Sequence, residues 1–265
     1  MTKLISWNVN SLRIRLDDLK LITEQQQPDI VCLQEVKAKQ EDFPFEAIKA
    51  LGYEHIALYS MPSYNGVAIL AKEPLTDIKR YDWAGKEDAR HISAVTAQGI
   101  EVHNIYIPAG GDIADEEQNP AFARKLRFME ELTEYFASRA KEMDSHKLLA
   151  CGDFNVAPSE NDVWNHKQLL KIVSHTPAET NRLNKLIKEA NLIDAVREFY
   201  PEPEKIFSWW SYRNPNWRTN NKGRRLDHIW VSPALKPQLQ ALEILKDIRA
   251  TERPSDHVPV AVTLA

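Results

Sequence analysis

Five short apolar runs of this sequence end in an acid, an amide or both. The runs are KLISWNVN, DIVCLQE, KLLACGDFN, RRLDHIWVS and RPSDHVPVAV, and their polar residues include Asn8, Asn10, Glu35, Asp153, Asn155, Asp227, Asp256 and His257. A buried strand that ends in an acid places that acid at the rim of a sheet. Five such ends from distant parts of the chain predict that oxygen ligands surround one point. Hard oxygen ligands suit Mg²⁺ or Mn²⁺, and an acid-paired histidine suits phosphoester chemistry beside such a metal.

Two of these runs supply candidates for metal binding and for base catalysis. Glu35 follows an apolar run and is a candidate metal ligand, the alternative being a solvated strand end. Lys37, two residues further on, could pair with Glu35 or reach a phosphate. Asp153 and Asn155 are two residues apart, so both lie on one side of an extended strand. The acid could deprotonate a water and the amide could donate to a phosphate oxygen, whereas the alternative is an Asx turn that closes the strand.

His257 needs an acid other than its own neighbour. Asp256 and His257 are adjacent and point to opposite faces of an extended strand, so Asp227 is the predicted partner of the imidazole. Such an acid fixes the tautomer and favours the charged imidazole, leaving the other ring nitrogen for the substrate. Asn8 and Asn10 form a further pair at a spacing of two, suited to orienting a phosphate or supporting the metal ligands.

Aromatic and cationic residues alternate near the end of the chain, in FSWWSYRNPNWRTNNKGRR. This composition suits stacking on unpaired bases or a sugar, together with phosphate contacts. Of the adjacent Trp209 and Trp210, we expect one to be buried and one to line a pocket, and we assign Trp210 to substrate binding. Tyr106 ends the run NIYIP, where its phenol could donate to a phosphoryl oxygen. The predicted substrate-binding residues are Lys37, Arg213, Trp210, Trp217, Arg218, Lys222 and Arg224.

The composition narrows the class of protein. The chain has 265 residues, of which 43% are hydrophobic, and shows no repeat or linker, which favours one domain over residues 1–265. Its apolar runs are too short for a membrane helix. A net charge of −4 argues against a protein that binds nucleic acid non-specifically along its length. It does not argue against an enzyme that binds nucleic acid at one local site. Cys32 and Cys151 lie in apolar runs and predict buried reduced thiols in the cytoplasm. The other seven histidines show no metal-ligand spacing, which disfavours zinc.

The elements follow from the spacing of apolar residues. Strand-type runs lie at 3–8, 29–34, 54–59, 66–71, 91–97, 100–107, 147–151, 226–231, 241–245 and 258–264. Helical spacing is clear at 119–141 and 178–190, and RLDDLKLITEQQ forms a third helix before Pro28. Many strands with few helices predict an α/β fold with two mixed sheets packed face to face and helices outside. The acids recur at strand ends in both halves, so the site should lie across the edges of the two sheets.

A family resemblance rests on several of these motifs in order. WNVNSLR, DIVCLQE, YNGVAI, NIYIP, CGDFNVAP, WWSYR, RLDHIWVSP and SDHVPV resemble the exonuclease III branch of the endonuclease/exonuclease/phosphatase superfamily, over residues 3 to 264. The resemblance implies a four-layer αββα sandwich of the DNase I type and a Mg²⁺ or Mn²⁺ cofactor. It also implies roles for individual residues. Glu35 would be the main metal ligand with Asn8, Asn10 and Asp256 close by, Asp153 would activate water, Asn155 and Tyr106 would hold the phosphate, and His257 backed by Asp227 would stabilise developing charge.

The resemblance further implies a function. It predicts a monomeric, cytoplasmic, nucleoid-associated DNA-repair phosphodiesterase that cuts duplex DNA 5′ to abasic sites or processes 3′ ends. The alternatives are a phosphatase of the same fold acting on a lipid or inositol phosphate, and a non-catalytic DNA-binding protein. Ala109 stands where the family often has Asn, and the acidic loop 109–119 is expected to point away from DNA or temper affinity. The apolar segment 160–177 leaves open whether the pocket admits an internal abasic sugar or only a 3′ terminus.

Overall fold

Twelve strands and seven helices make up the fold in a computed structural model that describes residues 1–265. The strands are β1 (Thr2–Asn8), β2 (Ile30–Gln34), β3 (His55–Tyr59), β4 (Val67–Ala71), β5 (Thr76–Trp83), β6 (Lys86–Val95), β7 (Glu101–Tyr106), β8 (Leu148–Asp153), β9 (Ile193–Asp194), β10 (Asp227–Val231), β11 (Leu239–Ile244) and β12 (Val260–Leu264). The helices are α1 (Leu16–Gln26), α2 (Phe45–Ala50), α3 (Pro120–Ser138), α4 (His166–Leu169), α5 (Pro177–Glu189), α6 (Ala195–Phe199) and α7 (Trp217–Asn220). No helix is long and apolar enough to cross a membrane.

The strands form two mixed six-stranded sheets. The first has the order β11-β12-β1-β2-β4-β3 and the second β5-β6-β7-β8-β10-β9. Both contribute to one buried apolar cluster, which includes Ile69 of β4, Val102 of β7 and Val262 of β12, so the sheets pack face to face. Helices α1 and α2 cover the outside of the first sheet, and α3 and α5 cover the second. The prediction of a four-layer αββα sandwich is confirmed.

The longest helix illustrates how the sequence sets local structure. The side chain of Asn119 accepts a hydrogen bond from the amide of Ala121, and Pro120 occupies the first helical position of α3. The predicted apolar face, which runs from Phe122 to Phe136, is buried against the second sheet. The helix ends at Ser138, three residues earlier than predicted. The edge strand β5 was missed because its residues are mostly exposed and lack a clear apolar alternation.

The topology brings the polar strand ends to one rim. In each sheet a central parallel pair, β1 with β2 and β7 with β8, ends at this rim. Strands β10 and β12 run antiparallel to β8 and β1, so they begin there. Tyr106 and Asp227 are both in register with Asp153. Across the sheets, the Gln34 Nε2 donates to the Asn104 Oδ1 at 2.7 Å, which fixes one sheet against the other just below the rim.

Candidate active site

A hydrogen-bond network joins the two sheets at this rim. The Asn8 side chain at the end of β1 donates to Asp153 Oδ2 at 2.8 Å and to Glu35 Oε1 at 3.1 Å. The Tyr106 hydroxyl at the end of β7 donates to Glu35 Oε1 at 2.7 Å. Four residues from four strand ends, separated by up to 145 positions in sequence, therefore meet in one cluster.

The imidazole of His257 lies between two carboxylates. Its Nδ1 donates to Asp227 Oδ2 at 2.9 Å, and its Nε2 lies 3.6 Å from Asp153 Oδ2. Burial alone lowers the pKa of His257, but the negative charges of Asp227 and Asp153 outweigh it and raise that pKa to about 10. The imidazole is therefore charged at neutral pH. The Ser208 hydroxyl accepts from the amide of Asp227, which fixes the start of β10.

The pKa of Asp153 suits a general base that works at neutral pH. Burial and the nearby negative charges of Asp227 and Glu35 raise the pKa of Asp153 to about 7, against the lowering effect of His257. A general base works best when its pKa lies near the working pH. Gly152 makes this placement possible, because its φ is +140° and a Cβ there would lie 1.8 Å from the carbonyl oxygen of Ile105.

The side chain of Asp153 forms the Asx turn that was the alternative for this pair, and Asn155, which closes the turn, also lines the cavity. Its amide donates to Asp153 Oδ1 at 2.9 Å, and its side-chain nitrogen donates to the Ile107 carbonyl at 2.9 Å and to Asp153 Oδ2 at 3.2 Å. Asn155 therefore lies beside Asp153 as predicted, and the turn is what holds it there.

A ring of oxygen ligands lies beside this network. The Lys37 ammonium lies 2.7 Å from Glu35 Oε2 and donates to Asn10 Oδ1 at 2.6 Å. Burial raises the pKa of Glu35, but the Lys37 charge and hydrogen bonds from its neighbours lower it by more. The pKa is therefore below its usual value, and the carboxylate is charged. Asp256 Oδ1 accepts from Asn10 Nδ2 at 3.0 Å, and its Oδ2 accepts from Trp209 Nε1 at 2.9 Å. Glu35 and Asn10 place hard oxygens around one cation, the Lys37 ammonium, and Asp256 Oδ1 lies beside Asn10. This set of oxygens fits Mg²⁺ or Mn²⁺.

A second group of donor atoms could also hold a metal ion. Ligand atoms of Asp153, Asp227 and His257 all lie within 4.8 Å of one another. An imidazole binds a metal through a deprotonated nitrogen, and the two acids favour the charged imidazole here. The Glu35 group therefore suits a cation better, and the Asp153 group suits proton transfer.

The backbone around the site is strained in a consistent way. Asn10, Glu35, Lys37 and Asn155 have φ values of 44°, 52°, 52° and 52°, in the left-handed region that non-glycine residues rarely adopt. Such conformations persist only where the surroundings impose them, and they cluster at functional sites. The turns at these four positions orient the side chains of the site, although positive φ values also occur at residues elsewhere in the chain.

A cavity of about 490 Å³ opens beside the network. The proposed site residues in its lining are Glu35, Tyr106, Asp153, Asn155, Asp256 and His257. The lining also includes Ala109, Asp112, Ile172, Val173, Ser174, Trp209, Arg213, Arg224 and Leu226. Only part of the apolar segment 160–177 reaches it, since Leu169 packs inward with Ala157 and Val163. Asp112 shows that the acidic loop also reaches the cavity, rather than pointing wholly away from it.

Comparison with known proteins decides the family. Residues 5–257 match the model of the endonuclease/exonuclease/phosphatase family. Exodeoxyribonuclease III of Haemophilus influenzae is 36% identical over 270 aligned residues, which cover 97% of this chain and 98% of that protein. The chain belongs to the exonuclease III branch of the endonuclease/exonuclease/phosphatase family.

Solved structures of the same family agree over the whole chain. The 3′ phosphatase NExo from Neisseria, bound to a product DNA hairpin, superposes with a TM-score of 0.90 at 32% identity, covering 100% of both chains. An AP endonuclease from Archaeoglobus fulgidus superposes with a TM-score of 0.91 at 30% identity, covering 100% of this chain and 99% of that one. Both members share the αββα arrangement described above.

The assignment of Trp210 to substrate binding is wrong. Trp210 is 1% exposed, packs on Phe207 and Val258, and donates its Nε1 to Asn221 Oδ1 at 3.0 Å. The neighbouring Trp209 lines the cavity instead. One indole is thus buried and the other exposed to the cavity, as expected, but in the opposite order to the assignment.

The other predicted substrate-binding residues divide into two groups. Arg213 and Arg224 line the cavity, and Lys37 contacts the oxygen ring. The remaining three lie away from the cavity walls. The Trp217 ring packs against Trp210 at 5.1 Å, the Arg218 guanidinium lies over the Trp217 ring at 5.2 Å, and the Lys222 ammonium lies over the Trp164 ring at 4.9 Å.

Sequence reasoning missed a buried ion pair behind the site. Lys125 of α3 and Glu179 of α5 are both fully buried and contact each other. The Lys125 ammonium also donates to the carbonyl oxygens of Ala109 at 3.2 Å and Asn155 at 2.8 Å. Glu179 accepts hydrogen bonds from the amide of Ser174 at 2.9 Å. The pair therefore ties together three loops that form the cavity. A lysine on the apolar face of a predicted helix was the only signal available for it.

Proposed function

We propose that this protein hydrolyses phosphodiester bonds of duplex DNA, cutting 5′ to abasic sites and processing 3′ ends with the help of Mg²⁺ or Mn²⁺. Membership of the exonuclease III branch makes the protein a DNA-repair nuclease rather than a lipid phosphatase. The observation that carries the proposal is the meeting of Asp153, Glu35 and the His257–Asp227 pair in one network at the rim of both sheets.

Each proposed site residue has a separate role in the reaction. A divalent cation beside Glu35, Asn10 and Asp256 would neutralise charge on a phosphate oxygen when bound. Asp153 holds a water and takes its proton, as its pKa near 7 allows. The water oxygen bonds to phosphorus, the bond from phosphorus to the 3′ oxygen breaks, and the departing 3′ oxygen takes a proton from solvent.

The charge that develops at phosphorus needs donors already in place. The charged His257 imidazole is held by Asp227 through Nδ1. It stabilises the developing negative charge by donating a hydrogen bond from its Nε2. Asn155 and Tyr106, which donate to Asp153 and Glu35 in the free protein, would turn these donors to the phosphate oxygens of a bound substrate. Asn8 holds the Asp153 and Glu35 carboxylates in position through its hydrogen bonds to both. Lys37, whose ammonium lies 2.7 Å from Glu35 Oε2, would contact a phosphate oxygen of the bound strand.

The cavity supports the preference for an abasic site. Its 490 Å³ adjoin the proposed catalytic residues, and a small residue, Ser174, forms part of its wall. We infer that a sugar that carries no base occupies this space. An abasic nucleotide leaves the helix at little cost because it has no base to unpair. The related AP endonuclease and 3′ phosphatase provide precedents for both reactions within the family.

The remaining expectations rest on the same site. Both sheets supply proposed catalytic residues, so we propose that residues 1–265 act as one domain. The site is complete within one chain, which supports a monomer as the active unit. A DNA substrate and two buried free thiols, Cys32 and Cys151, support a cytoplasmic location with the nucleoid.

Two labelled duplexes test the proposal, one with a central abasic-site analogue and one with a recessed 3′ end. Each is incubated with the protein and Mg²⁺, Mn²⁺ or EDTA. We expect incision of the first duplex and shortening of the second, both abolished by EDTA. Shortening without incision would limit the activity to 3′ ends, and no reaction on either duplex would overturn the proposal.

A further inference from the structure

An arginine of the second sheet lies over the ring of Tyr106. Arg90 of β6 lies beside Tyr106 of β7, in continuation of the antiparallel register that pairs His91 with Ile105. The guanidinium carbon of Arg90 is 4.5 Å from the centre of the Tyr106 ring, and its Nη1 donates to the Tyr106 carbonyl oxygen at 3.4 Å. A cation this close to an aromatic face is attracted to it. Arg90 therefore contacts both the ring and the backbone of Tyr106.

A buried acid fixes the guanidinium in this place. Asp88 is 3% exposed, and its Oδ2 accepts from Arg90 Nε at 2.6 Å and from Arg124 Nη2 at 2.5 Å. The Asp88 carbonyl oxygen accepts from Asn65 Nδ2 at 2.9 Å. The Asn65 carbonyl oxygen in turn accepts from the amide of Lys37 at 2.9 Å. The acid that orients Arg90 is thus connected to the turn that carries Lys37.

The position of Arg90 separates it from the substrate. Tyr106 lines the 490 Å³ cavity, whereas Arg90 does not. The Arg90 side chain is 11% exposed, and its Nε and Nη1 donate to Asp88 and to the backbone. An arginine that contacts a site residue but not the cavity can influence the reaction through that residue.

The hydroxyl of Tyr106 depends on the orientation of its ring. In the free protein it donates to Glu35 Oε1 at 2.7 Å. If the ring stays in place, only the hydroxyl hydrogen has to turn from the carboxylate to a phosphate oxygen. A donor that is already oriented costs no reorganisation when negative charge develops at the phosphate. A cation fixed over the ring face supplies this orientation.

We propose that Arg90 is a positioning residue, which holds the Tyr106 ring so that its hydroxyl reaches the scissile phosphate. The inference rests on the proposed function, in which Tyr106 donates to a phosphate oxygen. Arg90 acts through that hydroxyl, so its removal should lower the rate only while the hydroxyl is present. Asp88 keeps Arg124 as a partner in such a variant, so no buried acid is left unpaired.

A double-mutant cycle tests the proposal by single-turnover cleavage of whichever labelled duplex the wild-type protein cuts faster. Arg90→Met should lower the rate by about 10- to 30-fold, the size of a desolvated cation–π contact. Tyr106→Phe should lower it by about 10²–10³-fold, as for the loss of one donor to developing charge. Adding Arg90→Met to Tyr106→Phe should cause little further loss. Arg90→Lys should restore part of the rate, because the charge remains but the planar stack is lost.

The matched control is Arg124→Gln, which removes the other arginine from Asp88 and leaves Arg90 over the ring. Its rate should stay close to that of the wild type. DNA affinity and its salt dependence should not change in Arg90→Met, since a lost phosphate contact would weaken binding and reduce the salt slope by about one. Fluorotyrosine labelling adds a measurement on the free protein. The fluorine resonance of Tyr106, identified by its loss in Tyr106→Phe, should move in Arg90→Met but not in Arg124→Gln.

The inference is overturned if Arg90→Met cuts at the wild-type rate, or if its loss is the same with and without the Tyr106 hydroxyl. Weaker DNA binding with a reduced salt slope would assign Arg90 to a phosphate and also overturn it. A fluorine resonance that does not move in Arg90→Met would show that Arg90 does not hold the ring. Failure of the wild-type protein to cut either duplex would overturn the proposed function itself, and the fluorine measurement would still decide whether Arg90 holds the ring.

Discussion

Asp227→Asn tests how the imidazole of His257 is charged. The substitution keeps the shape of the side chain and an acceptor oxygen for the Nδ1 donor, which now lies 2.9 Å from Asp227 Oδ2. It removes the negative charge of Asp227. Burial lowers the pKa of His257, but the charges of Asp227 and Asp153 outweigh burial and raise that pKa from 6.5 to about 10. That interval corresponds to about 5 kcal/mol in favour of the charged imidazole.

If Asp227 supplies about half of this preference, its loss removes about 2–3 kcal/mol of stabilisation of the charged imidazole. A loss of this size corresponds to about 30- to 160-fold in the ratio of charged to neutral imidazole. We expect the incision rate to fall within the usual range of about 10²–10⁴ for the loss of an acid–base group, because the imidazole also loses its fixed orientation. The loss should grow from pH 6 to pH 8, because the imidazole of the variant then becomes neutral. DNA affinity should change little.

Single-turnover incision of an abasic duplex measures the rate, and fluorescence anisotropy on the same preparation measures binding. Asp247→Asn is a matched control, because Asp247 is an exposed acid that pairs with Arg218 on the surface. An Asp227→Asn protein that cuts at the wild-type rate would refute the pairing argument. An equal loss of rate and of binding would show that the variant had lost the site's structure instead.

Three further predictions concern the structure that holds the site. Gly152→Ala should lower the free energy of unfolding by about 3 kcal/mol, because the added Cβ clashes with the backbone. The control is Gly99→Ala, where the added Cβ meets open space and the cost should be about 1 kcal/mol. Equal urea midpoints for the two variants would contradict this prediction. Lys125→Met should destabilise the protein by about 3–5 kcal/mol because it leaves Glu179 buried without a partner, and adding Glu179→Gln should recover part of the loss in the same urea assay. Burial lowers the pKa of His228 to about 4, so the free energy of unfolding should fall by about 3 kcal/mol as the pH drops from 6.5 to 4. His228→Gln should show a smaller slope of unfolding free energy against pH. An unchanged slope would contradict this role of His228.

The sequence predicted the sheets and the meeting of the strand ends because both depend on short-range patterns. Apolar runs reveal buried strands, and a polar residue at the end of a run marks the rim. Opposite orientation of adjacent strand residues excluded Asp256 as the partner of His257. Asp227, at the end of another apolar run, was then the candidate, and the two side chains lie 2.9 Å apart. The family motifs then placed these runs in a known fold.

Features that depend on distant contacts could not be read in the same way. Trp209 and Trp210 are adjacent in an irregular segment, and the choice between them depends on the pairing of Trp209 with Arg224 and Asp256. No periodicity reports such a pairing. The Lys125–Glu179 pair was likewise hidden, because a helix pattern does not show which opposing helix supplies an acid.

The central claim is that Asp153 activates water while Glu35 and His257 serve the phosphate at the same rim. The most direct test measures single-turnover incision of an abasic duplex by Asp153→Asn, together with DNA affinity and thermal stability of the same preparation. The amide cannot accept the proton, so we predict a rate lower by about 10²–10⁴ with affinity close to that of the wild type. Incision at the wild-type rate by a folded, DNA-binding Asp153→Asn protein would contradict the account.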